Sequence, residues 1–513
     1  MNPKPIALTI LLLGALASHA DNPIIQTSYT ADPAPMVLND TLFAYVDHDE
    51  DVTLSNFYTM NDWRIYSTTD MVNWRDRGSP LSYKSFSWSG GKAWAAQCIP
   101  RNGKYYWYVC AGIGTGGQPA VGVAVSDNPT GPFKDPLGKP LVSKSWDDID
   151  PTVFIDTDGQ AYLFWGNPAL YWVKLNTDMI SYSGSVTKTT MTTAGFGTRA
   201  GGDANHTTTY EEGPWFFKRG ALYYMMYATG PLPETIGYST SSSPTGPWAY
   251  RGQIMSTTNT GSFTNHAGIV EFKGKGYFFY HTGKLPGGGG YKRSVAVESF
   301  DFKTDGTIPL LSMTTTGPNP IDSLNPYIRQ EGETMAFSSG LKTTGNDQTG
   351  VYVSSINNGD YIKVRSVDFN NAGAKNFSAT VGASASGGSI ELHLDSQSGK
   401  LIGTLPVAAT GGMTTWKSLT TSVSGATGVH DLFLVFKGSG TGDLFNLDWW
   451  QFEPMVPSAV KCPPRIDASE GPIDVYTLSG IKVRSQISRG QALKGLQNGV
   501  YLVGSRKVVV AAR

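Results

Sequence analysis

One local unit recurs five times within the first 281 residues, and this repetition narrows the available folds more than any single motif does. Each unit is an apolar stretch, a short turn, and a second stretch rich in tyrosine or phenylalanine, which is the pattern of a β-hairpin. Aligned on their second strands, the units run Asp32 to Tyr45, Trp94 to Tyr108, Asp150 to Phe164, Glu212 to Tyr227 and His266 to His281, with first residues 54 to 62 positions apart. A lone hairpin cannot bury its apolar face, so the units must pack against one another.

A second pattern lies between the hairpins. Tyr66 to Trp74, Val125 to Phe133 and Tyr238 to Trp248 each run strand, polar turn, aromatic residue, as expected of outer strands. Helical periodicity is nearly absent. The reading is all-β: a five-bladed β-propeller over residues 21–320, the repeat length being that of a propeller blade.

After Leu324-Asn325-Pro326 the rhythm changes to short alternating strands, such as Asp360 to Val364, Ser389 to Leu394 and His430 to Phe436. That spacing predicts a β-sandwich over 326–453. A proline-bearing linker (454–469) and a short strand-rich module (470–513) follow. Residues 1–20 combine Lys4, an apolar run from Ile6 to Leu16 and small residues before Asp21, the layout of a signal peptide. The mature chain is expected outside the cytoplasm, with no membrane-inserted segment.

Composition restricts the partner. A formal net charge of -1 over 513 residues provides no electrostatic footprint for nucleic acid or an anionic membrane. Aromatic residues are 12% of the chain against 16% charged, which fits a neutral, sugar-like ligand. Three cysteines, Cys98, Cys110 and Cys462, do not make a disulfide framework. Cys98 and Cys110 flank one turn and are read either as a cross-hairpin pair or as buried thiols.

Innermost strands of a propeller start at the central channel, which places Asp32, Trp94, Asp150, Glu212 and His266 at equivalent positions around one mouth. Cleavage at an anomeric carbon needs one carboxyl to protonate the leaving oxygen and another to activate water. Asp32 and Glu212 are the natural pair, and Asp150 is a third carboxylate able to tune the acid. The bland reading is that such acids only cap turns.

These residues resemble glycoside hydrolase family 43, whose members are five-bladed β-propellers acting on arabinose- and xylose-containing polysaccharides. The resemblance covers roughly residues 25 to 315. It implies Asp32 as general base, Asp150 as the modulator that orients the acid, Glu212 as general acid, and inversion at the anomeric carbon. It further implies that His266 faces the channel and contacts a central calcium or its waters, and that Arg293 binds substrate hydroxyls. Trp94 is the candidate sugar-packing wall, with Trp165 and Trp215 as further possibilities.

Gln330 to Met335, Asn358 to Tyr361 and Leu444 to Trp449 resemble a family 6 carbohydrate-binding module. That resemblance implies a structural calcium held by Glu331, Glu333 and Asp448, and sugar contacts from Asn446 and an aromatic pair. Met413 stands where many relatives carry tryptophan, which leaves Trp416 and Tyr352 as the aromatic candidates. The tail resembles the sorting modules of exported bacterial enzymes. The whole reads as a secreted or cell-surface bacterial α-L-arabinofuranosidase, a monomer acting on arabinoxylan. The alternatives are β-xylosidase or endo-xylanase activity on the same scaffold, or a non-catalytic glycan-binding protein.

Overall fold

All five sequence units form antiparallel hairpins, and each hairpin extends outward into a sheet. The first sheet orders β1 (Tyr29–Leu38), β2 (Thr41–Asp49), β3 (Met60–Thr68) and β4 (Trp74–Asp76), with β5 (Leu81–Ser82) also on β3. The second holds β6 (Ser89–Arg101), β7 (Lys104–Ile113) and β8 (Pro119–Ser126). The third holds β9 (Thr152–Ile155), β10 (Ala161–Trp165), β11 (Tyr171–Leu175) and β12 (Tyr182–Lys188). A one-turn helix (Thr193–Phe196) and a small hairpin, β13 (Thr198–Asp203) and β14 (His206–Thr208), precede the fourth sheet. That sheet holds β15 (Tyr210–Arg219), β16 (Leu222–Thr229), β17 (Thr235–Ser241) and β18 (Ala249–Met255); the fifth holds β19 (Gly268–Phe272), β20 (Lys275–Thr282) and β21 (Ser294–Phe300). The structure is a computed structural model. It describes residues 21–455 except 116, 347, 386, 440 and 441, and, near the C-terminus, 473–477, 482–488, 491–496, 499–503 and 506–510.

Side chains stitch neighbouring sheets. Trp63 Nε1 of the first donates to Trp94 O of the second (2.8 Å). Gln97 of the second accepts from Val153 N (2.8 Å) and donates to Val153 O (3.2 Å) of the third. Phe216 N of the fourth donates to Thr152 Oγ1 of the third (3.2 Å), and Trp215 Nε1 to Ile269 O of the fifth (3.1 Å). Thr30 N of the first sheet donates to Arg293 O, just before β21 (2.8 Å). The second strands of the hairpins are almost wholly buried because apolar side chains project from both faces: in β2, Phe43 and Tyr45 enter one core and Leu42, Ala44 and Val46 another. Burying each such side chain contributes about 1.5–3 kcal/mol.

The sandwich packs two sheets around one core. One holds β22 (Gln330–Glu331), β25 (Lys342–Asn346), β26 (Gly350–Ser354), β28 (Ala374–Ala383), β31 (Gly412–Ser422) and β33 (Asn446–Pro454). The other holds β24 (Phe337–Ser339), β27 (Tyr361–Asp368), β29 (Gly388–Leu394), β30 (Lys400–Val407) and β32 (Val429–Lys437). Phe377 and Trp450 from the first sheet meet Ile362, Leu392 and Leu434 from the second.

One strand belongs to neither. β23 (Thr334–Met335) pairs with β4, so a piece of the sandwich sequence extends the first sheet. Asp21 reinforces the contact by accepting from Lys363 Nζ and Arg365 Nη1, each at 2.7 Å. Residues 21–455 thus fall in one compact unit. The C-terminal unit has its own four-stranded sheet, β34 (Ile473–Thr477), β35 (Lys482–Ile487), β36 (Gly499–Val503) and β37 (Arg506–Val510). The expected signal peptide, most of the expected linker and Cys462 lie outside the described residues. Cys98 and Cys110 are buried free thiols rather than a pair. Their cross-strand partners are Trp107 and Trp94.

Candidate active site

Two of the proline-flanked acids share an unusual backbone. Asp32 and Asp150 hold φ angles of 47° and 56°, in the left-handed region that side-chain-bearing residues seldom adopt. A following proline normally pushes its predecessor toward extended backbone. Such conformations cost about 1–3 kcal/mol each and persist where the surroundings fix them, often at active sites. In the fourth unit Gly213, before Pro214, takes that position with φ 57°. Glu212 therefore sits one residue earlier than the expected common register, a correction to the sequence reading. The β15–β16 pairing shifts register on both sides of Glu212, and these bulges accompany a side chain that reaches His266.

His266 ties the acids together. Its Nδ1 lies 3.3 Å from Asp32 Oδ1, and its Nε2 lies 3.4 Å from Glu212 Oε1 and 3.7 Å from Asp150 Oδ2. Burial would lower its pKa, but Asp32, Asp150 and Glu212 together push it up to about 10. Three carboxyl groups thus surround one imidazole ring. Asp150 Oδ2 also accepts from Gly213 N (3.1 Å), fixing the backbone beside Glu212. Asn167 Nδ2 donates to Glu212 Oε2.

Arg293 secures the other side. Nη1 donates to Asp32 Oδ1 at 3.1 Å, while Nε and Nη2 grip Asp49 at 2.9 Å each. The guanidinium lies 4.8 Å from the Tyr58 ring centre. Burial alone would raise the Asp32 carboxyl; Arg293, His266 and His281 outweigh it and hold the group well below the ordinary range. Asp150 has no such cation of its own, and burial, with the charges of Glu212 and Asp32, pushes it up to about 7 against the pull of His266. Arg293 was expected to meet substrate hydroxyls directly. It lines the cavity, but its donors are largely spent on Asp32 and Asp49.

A cavity of about 240 Å³ opens over these groups, lined by Asp32, Asp150, Glu212, His266, Arg293 and Trp94, with Phe57 and Tyr58 on its wall. Trp94 is the predicted aromatic wall. Trp165 and Trp215 belong instead to the interior, with Nε1 bonded to Asp148 and to Ile269 O. Sequence reasoning missed Asp49, His281, Asn167, Tyr58 and Glu234. His281 Nδ1 stands 3.2 Å from Asp32 Oδ1, and Glu234, 2% exposed, accepts from Asn265 N at 2.7 Å. The one available signal was His281 itself, which closes the fifth hairpin unit.

One donor atom each from Asp150, Glu212 and His266, the last expected to contact a calcium or its waters, lie within 4.8 Å of one another, a grouping able to hold a cation. The sandwich acids fit better. Glu333 Oε2 and Asp448 Oδ1 are buried with no hydrogen-bond donor facing them. Burial pushes Glu333 up to about 8, and both it and Asp448 feel the charge of Glu331. Arg75 of β4 reaches Glu333 Oε1 (3.1 Å) and Glu331 Oε1 (3.6 Å).

Of the expected sugar-binding residues of the sandwich, Tyr352 and Trp416 meet. Tyr352 and Trp416 contact edge to face, with ring centres 5.2 Å apart, rather than standing as two parallel walls. Asn446 is 5% exposed and donates its amide to Met413 O (2.9 Å).

Residues 20–308 match the family model described as glycosyl hydrolases family 43. The chain belongs to glycosyl hydrolase family 43. Residues 331–454 match carbohydrate binding module family 6, so a β-propeller hydrolase domain is followed by a β-sandwich module. An arabinoxylan arabinofuranohydrolase of Bacillus subtilis (strain 168) is 36% identical over 508 residues, covering 85% of this chain and 93% of that protein. One from Paenibacillus polymyxa is 33% identical, covering 84% and 74% respectively. The crystal structure of a B. subtilis family 43 arabinoxylan arabinofuranohydrolase in complex with cellotetraose superposes with a TM-score of 0.73 at 33% identity, covering 86% of this chain and 99% of that one.

Proposed function

We propose that this family 43 hydrolase removes α-L-arabinofuranosyl side chains from arabinoxylan with inversion, on a propeller of five blades closed into a ring. The observation that carries the reading is His266, whose single ring touches Asp32 on one edge and Glu212 and Asp150 on the other. An imidazole width plus a contact on each side is compatible with the roughly 6.5–9.5 Å between carboxyls that leaves room for a water. Asp32, kept ionised by Arg293 and His266, accepts the proton of that water as it attacks the anomeric carbon. Glu212, oriented by Asn167, delivers a proton to the departing oxygen of the xylose unit. Asp150 holds the backbone at Gly213 and so the direction of Glu212.

The cavity of about 240 Å³ is smaller than the roughly 300–1,000 Å³ of drug-sized sites. It suits one terminal pentose, which favours a side-chain-removing enzyme over one that threads a polymer. The relatives named for arabinoxylan supply the sugar. In the sandwich, Glu331, Glu333 and Asp448 would hold a calcium that neutralises their buried charge, while Trp416 is the candidate contact with the polymer. Residues 1–20 would export the chain.

Hydrolysis of aryl α-L-arabinofuranoside and aryl β-D-xyloside, with the product anomer followed by NMR, tests the proposal. Release of the inverted arabinose anomer is expected. Exclusive xyloside cleavage would overturn the sugar assignment, and a retained anomer would overturn the roles given to Asp32 and Glu212.

A further inference from the structure

Three further metal-ligating side chains share one face of the first sheet, apart from the cavity. His48, in β2, and Glu50, the residue just past its end, are two positions apart and project to the same side; Asp49 between them points the other way, to Arg293. Asp62 comes from the start of β3, which is registered to β2 by the Asp49–Met60 pairing. One donor atom from each of the three lies within 4.8 Å of the others. His48 Nδ1 and Asp62 Oδ1 are already 2.6 Å apart. Asn61 Nδ2 holds Glu50 Oε1 at 2.8 Å, steadying that carboxylate. Among the described residues no lysine or arginine forms an ion pair with Glu50 or Asp62; the nearby Arg64 is committed to Asp76.

We propose that His48, Glu50 and Asp62 form a binding site for a divalent transition-metal ion of the zinc class. Two carboxylates balance the charge of such an ion, and an imidazole donor selects borderline metals over calcium or magnesium, which prefer oxygen alone. With metal–ligand bonds of about 2.0–2.2 Å in a tetrahedral shell, neighbouring donors stand about 3.3 Å apart. The His48–Asp62 contact must therefore open by several tenths of an ångström. Both side chains are partly exposed, at 17% and 24%, so they have room to do so and solvent can deliver the ion. The ligands bracket residues 51–59, the loop that carries Phe57 and Tyr58 to the cavity wall. A bound ion would clamp the base of that loop. The site stands on the geometry of β2 and β3 and is independent of the sugar assigned above.

The test uses the full chain, stripped with a chelator and titrated with Zn²⁺ by isothermal calorimetry, beside His48→Gln and Glu50→Gln. Wild type should take up one more equivalent of Zn²⁺ than His48→Gln. Glu50→Gln should bind that equivalent at least ten-fold more weakly, and Ca²⁺ should not displace it. Zn²⁺ should raise the melting midpoint of wild type more than that of either variant. Equal stoichiometry and affinity in all three proteins, or displacement by Ca²⁺, would overturn the proposal. If His48→Gln melts early without metal, the affinity of Glu50→Gln decides.

Discussion

Replacing His266 by glutamine keeps a hydrogen-bonding side chain of similar reach and removes the charge around which three carboxylates are arranged. With an unfolded value of 6.5 and a folded value of about 10, the charged ring adds at most about 5 kcal/mol to stability, at about 1.4 kcal/mol per pH unit. Because the pKa rises on folding, this contribution is complete below pH 6.5 and is lost as pH climbs through about 10. In the variant, Asp150, pushed up to about 7 even beside the imidazolium, retains its proton more readily and offsets part of the loss. The expected stability difference between wild type and variant is therefore about 2–3 kcal/mol near pH 6, shrinking to about 1 kcal/mol near pH 9. Urea denaturation of both proteins at pH 6, 7, 8 and 9 measures it. A difference that stays flat, or widens as pH rises, would refute the view of His266 as a buried cation. The acid limb of the kcat/KM profile should also move to higher pH in the variant, since Asp32 loses one of the cations that keep it ionised.

Glu212→Gln should lower kcat on arabinoxylan by about 10²–10⁴-fold with little change in melting temperature; unchanged turnover by reducing-sugar assay would remove Glu212 from its role. Arg293→Met leaves Asp32 and Asp49 buried without their shared cation, a loss of about 3–5 kcal/mol visible in chemical denaturation, and Arg293→Lys should recover only part of it because one ammonium cannot grip both acids. Trp416→Ala should weaken retention on insoluble arabinoxylan while leaving kcat on an aryl arabinofuranoside unchanged; equal retention would place the polymer contact elsewhere on the sandwich. Added Ca²⁺ should raise the melting midpoint of chelator-stripped wild type, and Glu333→Gln with Asp448→Asn should remove that response.

The hairpin repeat was legible because a turn followed by an aromatic strand is a local signal, and the acids were legible because each stands beside a proline or one glycine away from it. What surrounds them was not. His281 reaches Asp32, and Asp49 shares Arg293 with it, only because β2 and β20 flank β1 in space, and no spacing along the chain encodes that meeting. The one-residue offset of Glu212 was hidden for a related reason: Glu-Gly-Pro looks like Asp-Pro with an insertion, and only backbone angles show that Gly213 carries the left-handed turn. In the sandwich, motifs pointed to Tyr352, Trp416 and Asn446, but the edge-to-face contact of the two rings depends on side-chain packing that a motif does not specify.

The pairing of β23 with β4 has a mechanical consequence. A binding module on a flexible tether would let the hydrolase sweep a volume around its anchorage. Here the module is joined to the first sheet by backbone hydrogen bonds and by the buried Asp21–Lys363 contact. Its distance from the cavity is thus a fixed length, not a radius. If the sandwich grips a xylan chain as proposed, an enzyme built this way would work like a gauge: arabinose at one set stride away would come within reach, and the next cut would require release and a fresh grip.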